Sequence, residues 1–152
     1  MTVVENHLKT IGCDCYPLIF SGNNSYEVKN LFATIGNDGK HFAYAGHTDV
    51  VPVGNESSWK YPPFSAKIDA GKLYGRGSED MKSSVACFIS AAKRFVDKYK
   101  NNPGKISFII TGDEERDSVN GTPRILEWAS KQNYKFDHCL CLLYTSPSPR
   151  DS

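Results

Sequence analysis

The chain has 152 residues, which is enough for one domain with its own hydrophobic core. Its 18 Lys and Arg residues nearly balance its 17 Asp and Glu residues, and no basic stripe is present, so nucleic acid and anionic membrane surfaces are poor candidates for a partner. No apolar run approaches the roughly 18 residues that span a bilayer, and no signal-peptide pattern opens the sequence, which predicts a soluble cytoplasmic protein.

The five cysteines occur as two Cys-x-Cys pairs, at residues 13–15 and 139–141, and a single Cys87. This spacing matches no zinc ribbon, and an odd count without a signal peptide favours reduced thiols. The sequence therefore predicts buried or half-buried structural thiols, and a metal site built from the two pairs is the minor alternative.

The first third of the chain predicts one helix followed by strands. Apolar residues at helical spacing predict an amphipathic helix that closes at Gly12. Three strand-like runs follow, over residues 13–20, 27–36 and 40–46. Asn-Asp-Gly separates the last two runs, which predicts that they pair as a hairpin.

The rest of the chain alternates between helices and strands. After a long loop, an apolar stripe over residues 85–99 predicts a helix. The run 105–111 is almost continuously apolar, which suits a central strand covered on both faces. Thr122 as N-cap and Pro123 as the first helical residue predict another helix through about Lys131.

A short strand over residues 136–141 closes the ordered pattern, which as a whole predicts an α/β three-layer sandwich with a mixed central sheet. The final residues, 141–152, are rich in Pro, Ser and Thr, fit neither helix nor strand, and resemble a translated sequencing adapter. We therefore expect one partial domain over residues 1–140 and a non-native tail over residues 141–152.

Acidic and imidazole side chains cluster at three places where loops leave strands: residues 46–52, 75–82 and 112–115. In an open α/β sheet, ligand groups gather beyond the carboxyl ends of the strands. The three clusters are therefore expected to converge on one site.

His47 and Asp49 are two residues apart, so an extended backbone would place both side chains on the same side. Asp49 could then accept one ring N–H of His47 and leave the other nitrogen for a metal. Taken alone, such a pair is more often structural than a ligand set.

The acidic residues also have simpler interpretations, since Asp80 could cap the long helix and Glu114 with Glu115 could form a solvated turn. Considered together, they match the needs of metal-assisted hydrolysis. Adjacent glutamates on a strand point in opposite directions, so one can bind a metal while the other takes a proton from water. Asp80 could bridge two ions about 3.5 to 4 Å apart. A histidine with carboxylates suits zinc better than magnesium.

Residues 46–84 and 111–122 carry long, ordered motifs that resemble the di-zinc aminoacylase and carboxypeptidase family, and the resemblance extends over about residues 3–140. It implies a zinc-peptidase-like catalytic domain that holds two zinc ions, with cobalt as an alternative in one site. The roles that it implies are metal ligation by His47, Asp80 (bridging) and Glu115, general base catalysis by Glu114, and orientation of His47 by Asp49. It also implies a cis peptide bond after Asp80.

The activity implied is hydrolysis of the amide bond of a small N-acyl amino acid. Asn-Gly-Thr at residues 120–122 and the Trp and Pro-Pro-Phe loop favour members that remove succinate from N-succinyl-LL-2,6-diaminopimelate, a step of lysine and diaminopimelate biosynthesis. A related acetylornithine deacetylase or aminoacylase, and a non-catalytic metal-binding module, remain as alternatives.

The sequence also departs from the family pattern. Relatives continue after the last strand with Gly-Glu-Pro-Thr, whose Glu completes one zinc site, whereas this chain has Leu-Leu-Tyr-Thr at residues 142–145. The family's dimer-forming domain and late histidine ligand have no counterpart here, and Ser83 stands where Gly is usual. We therefore expect a homodimeric enzyme for the full-length protein and no activity for this fragment.

Overall fold

The computed structural model describes residues 1–22, 24–100 and 103–142. The helices are α1 (Thr2–Thr10), α2 (Ser83–Lys98) and α3 (Thr122–Lys131), with a 3-10 turn at Glu56–Ser58 and an irregular helical turn at Ser78–Lys82. The strands are β1 (Asp14–Gly22), β2 (Ser25–Gly36), β3 (Lys40–His47), β4 (Lys67–Asp69), β5 (Lys72–Tyr74), β6 (Gly104–Thr111) and β7 (His138–Cys141).

Five strands form a mixed sheet in the order β1-β2-β6-β3-β7, and β4 pairs with β5 in a separate small ribbon. β2 is antiparallel to β1 and β6, whereas β3 is parallel to β6 and β7. β6 is the central strand, and Ser107 to Thr111 are all buried. Both predictions, a mixed sheet and a central position for this apolar run, are confirmed.

The predicted hairpin between β2 and β3 is wrong, because β6 lies between them. The turn instead passes the start of β6, where the N–H of Asn37 donates to the carbonyl of Gly104 at 2.9 Å. Gly39 has φ +136°, and a Cβ there would lie 2.8 Å from the carbonyl oxygen of Pro103. A turn motif specifies that the chain reverses direction, but it does not specify that the two flanking strands pair with each other. With β6 between them, β2 and β3 both form backbone hydrogen bonds with β6. The hairpin joins β1 and β2.

Helices cover both faces of the sheet, which confirms the three-layer sandwich. On one face, residues of α1 and α2 pack on alternate residues of the inner strands: Leu8, Val85 and Ala92 on Leu31, Tyr44, Phe108 and Ile110. On the other face, α3 packs on the intervening residues: Ile125 and Ala129 on Phe32, Ala43 and Ile109. Two cores therefore share one sheet.

Some local predictions need correction. α3 begins at Thr122 with Gly121 as its N-cap, one residue earlier than predicted. The N-cap residue lies against Asp113, because a Cβ on Gly121 would be 2.7 Å from the carbonyl oxygen of Asp113. All five cysteines are free, but only Cys13 is buried and Cys15 half-buried. The other three are exposed because they lie on the outer side of α2 and on the edge strand β7: Cys87, Cys139 and Cys141.

In the part of the chain that the structure describes, no helix is long and apolar enough to cross a membrane. The predicted tail lies outside the described residues from residue 143 onward.

Candidate metal centre

The parallel pairing of β3 and β6 brings two of the predicted clusters together. His47 at the end of β3 lies opposite Thr111 at the end of β6, and the N–H of Thr48 donates to the carbonyl of Thr111 at 3.0 Å. The loop after β3 and the acidic turn after β6 therefore leave the same edge of the sheet.

His47 lies at the centre of the cluster, with only 2% of its surface exposed. Its Nε2 is 2.9 Å from Oδ1 of Asp80 and 3.7 Å from Oε2 of Glu114. Its Nδ1 is 3.2 Å from the backbone oxygen of Asp49 and 3.4 Å from Oδ1 of that residue. All three predicted clusters thus reach one imidazole ring.

The charges around His47 favour its protonated form. Burial lowers the pKa of His47, but the hydrogen bonds and charge of Asp49, with the charge of Glu114, outweigh burial and raise the pKa to about 9. Without a metal, both ring nitrogens of His47 are therefore protonated at pH 7, and the Nε2–H group can donate a hydrogen bond to Asp80.

Asp49 joins the two loops of the site. Its Oδ2 accepts the backbone N–H groups of Glu114 at 3.0 Å and Glu115 at 2.9 Å. Burial raises the pKa of Asp49, but the imidazole of His47, 3.4 Å from Oδ1, and the hydrogen bonds from these two N–H groups outweigh burial and hold the pKa below its ordinary value. Asp49 is therefore an ionised link between the imidazole and the acidic turn.

Asp80 lies on the irregular turn before α2, and its side chain is 52% exposed. The Asp80–Met81 peptide bond is cis, as the family resemblance implied. Asp80 is not the cap of the long helix, because α2 begins at Ser83 and its N-cap position is Lys82. The carboxylate is therefore available to the cluster.

The two glutamates reach the same cluster. One ligand atom each from His47, Glu114 and Glu115 lies within 4.8 Å of the others, and this group contains no cysteine. Glu114 and Glu115 lie in bends that follow β6 rather than on an extended strand, so strand geometry does not set the directions of their side chains. Burial, together with the charges of Asp80 and Glu114, raises the pKa of Glu115. An imidazole with carboxylates at this spacing is a donor set that fits zinc.

A lysine partly compensates this concentration of negative charge. The charges of Asp49, Asp80 and Glu115 act on Lys82, although burial has the larger effect and lowers the pKa of its ammonium group. The Nζ of Lys82 lies only 2.5 Å from the position that a Cβ on Gly77 would occupy, and Gly77 has φ +75°. Glycine at this position therefore leaves room for the cation.

Sequence reasoning missed a buried polar network behind the cluster, centred on Asp113, which is 1% exposed. One carboxylate oxygen of Asp113 accepts a hydrogen bond from the hydroxyl of Tyr26, and the other accepts the N–H of Asn120 at 3.1 Å. Its own N–H donates to Oγ1 of Thr111 at 3.0 Å. The sequence does show an acidic residue just after the apolar run of β6. It gives no sign that Tyr26, 87 residues earlier, is the partner of that acid.

The network continues through two buried asparagines. The Nδ2 of Asn30 donates to the carbonyl of Asn120 at 2.9 Å, and its Oδ1 accepts the hydroxyl of Thr111 at 2.8 Å. The Nδ2 of Asn120 donates to the carbonyl oxygens of Gly22 and Tyr26. These bonds fix both ends of the turn that carries Glu114 and Glu115.

The sequence is also similar to those of known proteins. The sequence profile of peptidase family M20/M25/M40 matches residues 43–151. A succinyl-diaminopimelate desuccinylase from Hydrogenovibrio crunogenus (strain DSM 25203 / XCL-2) is 49% identical over 140 residues, which are 91% of this chain and 36% of that protein.

The fold is also similar to those of solved structures. Human carnosine dipeptidase 1 superposes with a TM-score of 0.79 at 26% identity, over 95% of this chain and 32% of its own. The M20 family metallo-carboxypeptidase Sso-CP2 from Sulfolobus solfataricus has a TM-score of 0.73 at 27% identity, over 92% of this chain and 30% of its own. The chain thus spans about a third of the length of these relatives.

Proposed function

Because this chain belongs to peptidase family M20/M25/M40, we propose that it forms the metal-binding part of a zinc-dependent amide hydrolase. The observation that carries the proposal is the meeting of His47, Glu114 and Glu115 within 4.8 Å at the carboxyl ends of two parallel strands. Ligand sites in α/β sheets form at this edge.

In this proposal His47, Asp80 and Glu115 would hold two zinc ions, with Co²⁺ as an alternative in one site. The exposed carboxylate of Asp80 and the raised pKa of Glu115 both support this assignment, because bound cations would relieve the repulsion among the carboxylates. When bound, zinc supplies a Lewis acid that polarises the substrate carbonyl and acidifies water.

Glu114 is the proposed general base. Its side chain is 53% exposed and its Oε2 lies 3.7 Å from His47 Nε2, so it can meet both solvent and substrate. Glu114 takes a proton from the attacking water while the water oxygen forms a bond to the acyl carbon. It then gives that proton to the amide nitrogen as the carbon–nitrogen bond breaks. Asp49 positions His47 through Nδ1 and holds both glutamates through their N–H groups.

The proposed reaction converts N-succinyl-LL-2,6-diaminopimelate and water to succinate and LL-2,6-diaminopimelate, in lysine and diaminopimelate biosynthesis. Support comes from the 49% identity to a succinyl-diaminopimelate desuccinylase. We place this activity in a cytoplasmic, homodimeric whole protein, in which residues beyond 140 complete the metal sites.

Zinc titration of this chain by calorimetry tests the metal centre. We expect His47→Ala to abolish binding and His7→Ala, an exposed histidine on α1, to leave it unchanged. Equal zinc binding by His47→Ala and the unsubstituted chain would contradict the proposed centre.

The substrate needs a separate test. The source DNA is first sequenced through the codons for residues 140–143 and onward, and the protein that it encodes is then supplied with zinc and N-succinyl-LL-2,6-diaminopimelate. Release of succinate is the expected result. A zinc-loaded protein that cleaves N-acetylornithine but not this substrate would contradict the assignment.

A further inference from the structure

A cleft of about 350 Å³ lies beside the acidic cluster. Asp80 and Glu115 line it on the side of the metal centre, and Arg76 is the one cation among the described residues that line it. Within the described residues, the guanidinium of Arg76 donates one hydrogen bond to a carbonyl, from Nη2 to Pro52 at 3.4 Å. Its Nε is buried and, within the described residues, has no hydrogen-bond partner. Because Arg76 lines the cleft, its guanidinium offers a fork of N–H donors to an anionic ligand there.

The guanidinium is held before any ligand arrives. Its Cζ lies 5.0 Å from the ring centroid of Trp59, whose indole N–H donates to the carbonyl of Val53 at 3.0 Å. The backbone N–H of Arg76 donates to the carbonyl of Pro63 at 2.8 Å. Both the backbone and the planar end of the side chain are therefore fixed, which lowers the entropy cost of binding.

We propose that Arg76 binds the free carboxylate of a short dicarboxylic acyl group and so determines acyl specificity. This inference rests on the proposed function, because the scissile amide must lie at the metal centre while the acyl chain enters the cleft. Arginine offers a fork of N–H donors that matches a carboxylate, and an uncharged acyl group would leave those donors unpaired. The three carboxylates that line the cleft, those of Glu79, Asp80 and Glu115, repel an anion, so Arg76 is the lining group that attracts it.

Binding of succinate and butyrate to the zinc-loaded chain isolates this contact. Both molecules share one carboxylate and a four-carbon chain, and only succinate has a second carboxylate. NMR titration should give about tenfold tighter binding of succinate, and succinate should shift the Nε–H signal of Arg76. Arg76→Gln should remove the preference, and Arg76→Lys should retain part of it. Arg94→Gln, on the exposed side of α2, should leave both affinities unchanged.

The possible outcomes separate the two proposals. A chain that binds no zinc would contradict the proposed function and this inference together. A zinc-loaded chain that binds succinate and butyrate equally, with an unmoved Arg76 Nε–H signal, would contradict the role of Arg76 alone. A loss of diaminopimelate binding in Arg76→Gln, with succinate unaffected, would assign Arg76 to the amino-acid half and also overturn the proposal.

Discussion

At the scale of single residues, Asp49 links the imidazole of His47 to the acidic turn. One of its oxygens faces the Nδ1 of His47 at 3.4 Å, and the other accepts two backbone N–H groups of the acidic turn. A His-x-Asp pair in the sequence indicated the first contact. The second could not be read from the sequence, because it depends on β6 lying beside β3 rather than on local spacing.

Asp49→Asn should lower the pKa of His47 from about 9 toward its ordinary value, because it removes the charge that outweighs burial. The NMR titration of the His47 ring in the metal-free chain measures this shift, with Asp38→Asn as an exposed control. We also expect zinc affinity to fall about tenfold to a hundredfold, as for other partners of ligating histidines. An unchanged His47 titration would show that Asp49 does not govern the ring.

At the scale of elements, the acidic turn depends on contacts far away in sequence. Strand and helix bounds followed from apolar periodicity, as for β6 and α2, because burial of one face is a local pattern. The order of the strands did not follow, since Asn-Asp-Gly after β2 would serve equally well for a hairpin or for a turn around β6. The hydrogen bond between Tyr26 and the buried Asp113 escaped prediction for the same reason.

Tyr26→Phe should destabilise the fold by about 1 to 3 kcal/mol, because it leaves one oxygen of the buried Asp113 carboxylate without its hydroxyl donor. Tyr99→Phe is the matched control, since Tyr99 is exposed near the end of α2. Urea unfolding of both variants gives the difference. Equal stability of the two variants would contradict a structural role for this hydrogen bond.

At the scale of the whole molecule, the site exists because two different cores hold one sheet. One core places α2 and the turn that carries Asp80 on one face, and the other packs α3 after the acidic turn. Convergence of the two clusters at the ends of β3 and β6 was predictable from their positions at strand ends. The direct contact between Asp80 and His47 was not, because it depends on the non-helical backbone at Asp80 and Met81.

The sheet also buries a histidine outside the metal centre, which links the stability of the whole fold to pH. His41 is 6% exposed, its Nε2 lies 2.7 Å from Oγ of Ser107, and its ring packs 4.7 Å from that of Phe136. Burial, with a smaller effect from the charge of Lys105, lowers the pKa of His41, although a backbone hydrogen bond at Lys135 opposes this shift. The folded state therefore keeps this ring neutral at pH values where the unfolded chain would protonate it.

Because the folded pKa of His41 lies below the unfolded value of about 6.5, its contribution to stability is fully present above pH 6.5 and is lost as the pH falls through the folded pKa. The free energy of unfolding of the unsubstituted chain should therefore decrease relative to that of His41→Gln as the pH falls from 7.5 to 5. The relative slope cannot exceed about 1.4 kcal/mol per pH unit, the limit for one proton. Urea unfolding at several pH values measures it, and His7→Gln on α1 serves as the exposed control. Parallel pH profiles for the unsubstituted chain and His41→Gln would mean that His41 titrates alike in the folded and unfolded states, which its burial between the sheet and Phe136 argues against.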